Sequence, residues 1–186
     1  MLSFLKLLVA FAPWLAFLFI AHDTPLRVKL GLVVALVLSV AMGVARLHRG
    51  IILWVGLAFF AAATVAVVGF EDAWTLRHMG VLANGALASG AWLTILAGKP
   101  FTLDYAKEHA DPSLWKTPQF VRSNTVIAAA WATTFTINSA VAFVKMRQIG
   151  VSDLVCEIFS YCLLVGTAAF TVWYPAHLRR TRTEKC

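Results

Sequence analysis

Residues 98–124 read GKPFTLDYAKEHADPSLWKTPQFVRSN and form the one long polar interval of the chain. On either side of it lie apolar runs of about 20 residues, the length that an α-helix needs to cross the hydrocarbon core of a bilayer. Backbone amides cannot be left unpaired in lipid, so each run must pair its own amides as a helix. The polar interval therefore predicts a loop that separates four membrane-spanning helices from two more.

The composition supports the same interpretation. The 186 residues are 60% hydrophobic and 13% charged, whereas a soluble domain carries about 25% charged residues. The mean hydropathy is +0.78. The net charge is +7, but the basic residues stand at the ends of apolar runs, where they set orientation and contact anionic headgroups. We therefore expect the lipid bilayer, and not nucleic acid, to be the partner of these charges.

The predicted fold class is all-α, a single transmembrane bundle of six helices. The six spans cover residues 2–21, 26–45, 50–70, 74–97, 118–143 and 151–174, with a loop at 98–117 and a short basic tail at 176–186. A short amphipathic helix from Leu103 to about Ala110 is expected between the fourth and fifth spans. Thr117 should cap the fifth helix, with Pro118 as its first residue. The sixth helix should end at Pro175.

Lys and Arg are distributed unequally between the two ends of these spans. One end would carry eleven of them: Lys6, Arg46, Arg49, Lys99, Lys107, Lys116, Arg122, Arg179, Arg180, Arg182 and Lys185. The other end would carry five: Arg27, Lys29, Arg77, Lys145 and Arg147. Because the richer end stays in the cytoplasm, the sequence predicts that both termini and the 98–117 loop are cytoplasmic.

Small residues recur at four-residue spacing in three of the runs and predict close helix packing. The three sets are Gly31, Ala35, Ser39 and Gly43; Ala86, Gly90 and Thr94; and Ala130, Thr134, Asn138 and Ala142. Such faces let two helix backbones approach each other closely in lipid. They are compatible with packing inside the bundle, with binding of other membrane proteins and with a homo-oligomer.

The polar interval has three possible roles. It can be an interfacial connector that anchors the fifth helix, a docking surface for a partner, or a catalytic loop. The last is least favoured, because no nucleophile–base set is visible. The residues chosen as a candidate partner or interface site are Lys99, Pro100, Tyr105, Lys107, Trp115 and Asn124.

A family resemblance is carried by the same region. Lys99-Pro100, a charged stretch with Lys107-Glu108, the run Pro112-Ser113-Leu114-Trp115, and then Asn124, Trp131, Phe135 and Asn138 make residues 97–143 resemble the bacterial intracellular septation protein A family. The resemblance implies a small protein of the bacterial inner membrane that is linked to cell division and envelope integrity. It implies no catalytic residue.

Three polar residues lie within the predicted spans: Asn84, Asn138 and Glu157. Asn84 is deep enough to need a hydrogen-bond partner, expected across a helix interface. Glu157 lies about 9 Å inside the last span. It is expected to be protonated or to pair with Lys145 or Arg147, and the functional alternative is a proton or cation site.

No metal or cofactor site is predicted. The five histidines, His22, His48, His78, His109 and His177, stand at or beyond the ends of the apolar runs. None has the i, i+4 spacing of a helical zinc pair, and none lies inside a span where it could bind a haem axially. The sequence also has no phosphate loop, no GxSxG and no dinucleotide fingerprint, and we expect no catalysis.

Two classes of function remain in competition. The first is a membrane scaffold associated with the cell envelope or with division, which binds other membrane proteins. The second is a small transporter or channel for an ion or small solute, suggested by the intramembrane polar groups. An accessory subunit of a larger membrane complex would share the features of the scaffold. Polar groups that converge on one wet cavity would favour transport, and polar groups that pair across dry interfaces would favour the scaffold.

Overall fold

The computed structural model describes residues 11–21, 24–45, 50–107 and 110–183, with side chains up to residue 178. Within these residues every regular element is helical, which confirms the all-α class. The α-helices are α1 (Ala12–Ile20), α2 (Pro25–Val44), α3 (Ile51–Thr64), α4 (Ala73–Arg77), α5 (Met79–Leu96), α6 (Thr102–Lys107), α7 (Pro118–Arg147) and α8 (Asp153–Thr183). A π-turn follows α3 at Val65–Gly69, and a 3₁₀ turn lies at Pro112–Leu114.

Five helical segments in the described part of the chain are long and apolar enough to cross a membrane. They are Pro25–Val44, Ile51–Gly69, Met79–Leu96, Pro118–Arg147 and Asp153–Leu178. The predicted first span, 2–21, is described only over its last part, where α1 is nine residues long. Residues 1–10 lie outside the described ranges, so the count of six crossings stays a prediction.

Local sequence explains where the helices begin. The Thr24 hydroxyl accepts a hydrogen bond from the amide of Arg27, and a proline follows it at the first position of α2. The predicted Thr117 cap is confirmed, since its hydroxyl accepts from the amide of Phe120 at the start of α7. Proline suits this first position because its missing N–H would have no helical partner there.

Two boundaries differ from the sequence prediction. The fourth run is broken at His78, so that the short α4 precedes the membrane-length α5. The last helix continues through Pro175 to Thr183, beyond the predicted end. Proline removes one backbone hydrogen bond from a helix, but the residues that follow it are mainly alanine, leucine and arginine, which favour helix.

The helices pack in an antiparallel series. Helix α2 contacts α1 and α3, α3 contacts α5, α5 contacts α7, and α7 contacts α8. The aromatic side chain of Phe11, just before α1, lies against Phe101, Trp131 and Phe135, with ring centroids 5.9–6.4 Å apart. This aromatic cluster joins the start of α1 to α7 at the end of the bundle that carries the 98–117 loop, here called the loop end.

Two glycines permit close contact between neighbouring helices, because a side chain at either position would collide with the next helix. A Cβ atom on Gly90 would lie 2.8 Å from Cγ2 of Val55. A Cβ atom on Gly56 would lie 3.0 Å from the indole nitrogen of Trp14. The predicted stripe on α2 is buried at Gly31, Ala35 and Ser39 but not at Gly43, which is exposed while its neighbour Met42 is buried. The packing face of α2 therefore rotates away from strict four-residue spacing in its last turn.

Candidate functional site

The first half of the 98–117 loop is built into the bundle. Phe101, Thr102, Leu103 and Tyr105 are all buried. The amide of Phe101 donates to the hydroxyl of Thr94 at 3.2 Å, and the Thr102 hydroxyl donates to the backbone carbonyl of Asn124 at 2.8 Å. Helix α6 therefore packs across the loop end and connects α5 to α7.

The six residues predicted as an interface site separate into two groups. Pro100, Tyr105 and Asn124 are buried, and the Asn124 side-chain amide donates to the carbonyl of Phe120 at 2.9 Å. Lys99 and Trp115 are exposed, and Lys107 is half-buried. Only the second group presents side chains that a partner could contact.

The second half of the loop is an exposed turn, residues 111–117, held by its own hydrogen bonds. The Asp111 carboxylate accepts from the Ser113 amide at 2.9 Å, and the Thr117 hydroxyl donates to the carbonyl of Leu114 at 2.7 Å. The indole of Trp115 donates to the carbonyl of Ala110 at 3.0 Å. Hydrogen bonds from Ser113 lower the pKa of the Asp111 carboxyl below its ordinary value. The turn is therefore ordered although it lies on the surface.

This exposed turn presents apolar side chains next to a cation. Leu114 is 48% exposed and Trp115 is 37% exposed, and Lys116 beside them is also exposed. Tryptophan and lysine are common at lipid headgroups, and tryptophan is also enriched at protein interfaces. The turn is thus suited to contact either a membrane surface or a protein.

A second polar feature runs along the interface of α7 and α8, and is called here the polar seam. The indole of Trp131 donates to the Thr171 hydroxyl at 2.9 Å, and the hydroxyls of Thr134 and Thr167 are 2.6 Å apart. The threonines on α8 were not predicted as site residues. The sequence pattern that could have identified them is the four-residue spacing of Thr167 and Thr171, which equals the spacing of Thr134 and Asn138 on α7.

The seam ends in an ion pair where α7 turns into α8, here called the turn end. The Lys145 ammonium lies 2.5 Å from a carboxylate oxygen of Glu157 and 3.9 Å from one of Asp153. Of the two predicted partners of Glu157, Lys145 and Arg147, the structure places Lys145 beside it. Both side chains are more than one-third exposed, so the pair stabilises the turn weakly.

Asn138 lies within the polar seam but makes no hydrogen bond there. Trp131 pairs with Thr171, and Lys145 pairs with Glu157. The two helices therefore run antiparallel, and each residue further along α7 faces a residue correspondingly earlier on α8. In this register Asn138 stands opposite the apolar Leu164. Its side chain is 4% exposed, and its Oδ1 atom is buried without a partner.

Asn84, the other intramembrane amide, is paired within its own helix. Its side-chain nitrogen donates to the carbonyl of Gly80 at 2.9 Å. The predicted partner across a helix interface is therefore wrong for this residue. A side chain can bond the carbonyl four residues earlier on its own helix, which lowers the need for a neighbour.

The intramembrane polar groups do not gather at one place in the described residues. Thr94 binds the loop, Asn84 bonds within α5, and Thr134 lies in the polar seam. Two further contacts cross the α5–α7 interface. The Trp92 indole donates to the Thr136 hydroxyl at 3.2 Å, and the Ser139 hydroxyl donates to the carbonyl of Val81 at 3.0 Å.

Two further carboxylates at the turn end are also engaged. Lys29 on α2 lies 2.9 Å from the carboxylate of Glu71. The hydrogen bond and charge of Lys29 lower the pKa of the Glu71 carboxyl. Asp72 caps α4 through the amides of Trp74 and Thr75, and the hydrogen bonds from Thr75 lower the pKa of its carboxyl.

No group of three or more His, Cys, Asp or Glu residues in the described ranges could hold a metal ion. His78 stacks on Trp74, with ring centroids 4.2 Å apart, and His177 stacks on Trp173 at 5.0 Å. His22, His48 and His109 lie outside the described residues, as do Arg46 and Arg49 of the basic loop.

No protein-family model, no curated protein sequence and no solved structure matches this chain.

Proposed function

We propose that this protein is a scaffold of the bacterial inner membrane that binds other membrane proteins through the exposed turn at residues 111–117. In this proposal the chain crosses the membrane six times, both termini are cytoplasmic, and no reaction is catalysed. The resemblance of residues 97–143 to the septation protein A family supports a role in the cell envelope or in division.

The observation that carries the proposal is the construction of the loop. Its first half is buried, and its second half is ordered by hydrogen bonds while it exposes Leu114 and Trp115. A surface that is already ordered loses little conformational entropy on binding, so more of its contact energy appears as affinity. A connector alone would not require two large apolar side chains on the outside of an ordered turn.

Site-specific photo-crosslinking in intact membranes tests this role. A photoreactive phenylalanine analogue replaces Trp115 in one variant and Phe70, which is 80% exposed and lies beyond α3, in a control variant. The scaffold predicts a discrete protein adduct from the first position that is missing from the second. Adducts with lipid alone at both positions would show that the turn is only a membrane anchor.

The alternative is a small transporter or channel, and the pairing of polar groups is against it. Thr134, Ser139 and Trp131 bond across helix interfaces, as groups that hold helices together do. The unpaired Asn138 is the feature that favours transport. Flux measurements in proteoliposomes separate the two functions, because a scaffold gives no protein-dependent flux of protons or monovalent cations.

A further inference from the structure

A shallow apolar groove lies between α5 and α7 on the outer surface of the bundle. It is lined by the small residues Gly85, Ser89 and Ala140 and by the aromatic residues Trp92 and Phe143. Along α5 the groove extends from Val81 to Leu93, about 18 Å at about 1.5 Å per residue. It therefore runs along the hydrocarbon depth of a membrane and ends near the turn end of the bundle.

Two of the hydroxyls that line this groove, those of Thr136 and Ser139, are already bonded within the protein. The Trp92 indole donates to the Thr136 hydroxyl, and that hydroxyl donates to the carbonyl of Ala132 at 2.8 Å. The Ser139 hydroxyl is bonded to the carbonyl of Val81. An occupant of the groove therefore meets a mostly apolar surface, which suits a hydrocarbon chain.

A cation stands at the mouth of the groove. The guanidinium carbon of Arg147 lies 5.6 Å from the centre of the Phe143 ring, which lines the groove. Arg147 is exposed and forms no ion pair with the described part of the chain. Its neighbour Lys145 is held by Asp153 and Glu157.

The other carboxylates described at this end are engaged as well. Glu71 binds Lys29, and Asp72 binds the backbone and hydroxyl of Thr75. A second copy of the chain in the same orientation would therefore bring no free carboxylate from the described residues of its own turn end to Arg147. A phosphate group is a suitable partner for Arg147, because arginine forms paired hydrogen bonds with phosphate oxygens.

We propose that the α5–α7 groove binds one anionic phospholipid, with its phosphate on Arg147 and one acyl chain along the groove beside Ala140. The site combines an apolar channel at membrane depth with an unpaired cation where the headgroups lie. It stands at the opposite end of the bundle from the exposed turn, and it does not depend on the scaffold function.

Native mass spectrometry of the full chain in mild detergent tests the site, with phosphatidylglycerol or phosphatidylcholine added back after delipidation. The wild type is expected to bind one phosphatidylglycerol in preference to phosphatidylcholine. Arg147→Gln should weaken phosphatidylglycerol binding about tenfold, the effect of losing a charged hydrogen bond. Ala140→Trp should fill the groove and weaken the binding of both lipids.

Two control variants match these changes. Arg122→Gln removes an exposed cation at the loop end, and Gly166→Trp adds the same bulk to α8, where a new Cβ has no neighbour within 4 Å. Both should bind as the wild type does. If Ala140→Trp does not fold, Arg147→Gln decides the matter alone. Binding to Arg147→Gln equal to that of the wild type overturns the proposal, and so does a lipid-free dimer that Ala140→Trp converts to monomer.

Discussion

Replacing Asn138 by leucine is expected to stabilise the protein. The side-chain oxygen is buried in the polar seam without a hydrogen-bond partner, and the residue opposite it is the apolar Leu164. A buried acceptor that is left unpaired costs about 1–3 kcal/mol. Leucine is similar in size, so the cost of fitting it should stay below about 1.5 kcal/mol.

The net expectation is a gain of about 1 kcal/mol in the free energy of unfolding. Reversible unfolding in mixed micelles of mild detergent and dodecyl sulfate measures this change. Asn84→Leu is the matched control, because it removes an amide whose hydrogen bond lies within its own helix. That variant should differ from the wild type by less than about 0.5 kcal/mol.

A loss of 1 kcal/mol or more in Asn138→Leu would refute the reasoning. It would mean that the buried oxygen has a partner, supplied by water, an ion or a shifted register of α8. The transport alternative would then gain weight, and the flux measurements on this variant would become the next step. A neutral result would place the cost of fitting leucine close to the gain from removing the oxygen.

Three further changes test other parts of the structure. Gly90→Ala should destabilise the bundle by about 1–3 kcal/mol, because the new Cβ would lie 2.8 Å from a valine side chain; Gly166→Ala, with open space around it, should not. A double-mutant cycle on Thr134 and Thr167 in the same unfolding assay should give a coupling of about 0.6 kcal/mol, and at most about 1.7. Asp111 has a lowered pKa in the folded turn. Its contribution to the stability of the turn is therefore complete above the unfolded pKa of about 3.9 and is lost as the pH falls through the lower folded pKa. Amide exchange in the exposed turn should therefore stay constant from about pH 7 to 5, after correction for intrinsic exchange rates, and rise below about pH 4, and Asp111→Asn should remove this change.

The helices were predictable because lipid leaves an apolar run of this length no other way to pair its amides. The cap at Thr117 followed from a short sequence pattern. The break at His78 and the π-helical segment after α3 were not predicted, because no proline marks either position in the sequence.

The candidate site was predicted less completely. Pairing of Glu157 with Lys145 or Arg147 was one of two expectations from their positions on either side of a short turn, and the structure selects Lys145. Tyr105 and Asn124 were assigned to a surface because the loop around them is charged, yet both are buried. Their burial depends on α6 packing across the loop end, a tertiary contact that the charge pattern of the loop does not report.

The position of α8 has a consequence for biogenesis. Only 11% of its most apolar window is buried, against 39% for α7, so most of its circumference faces outward. The helices that precede α8 pack on one another through contacts that do not involve α8. As synthesis proceeds from the N-terminus, the ribosome completes α8 last, after the remainder of the bundle is available for assembly. A nascent chain that stops in the turn before Asp153 should consequently insert and resist protease much as the complete protein does.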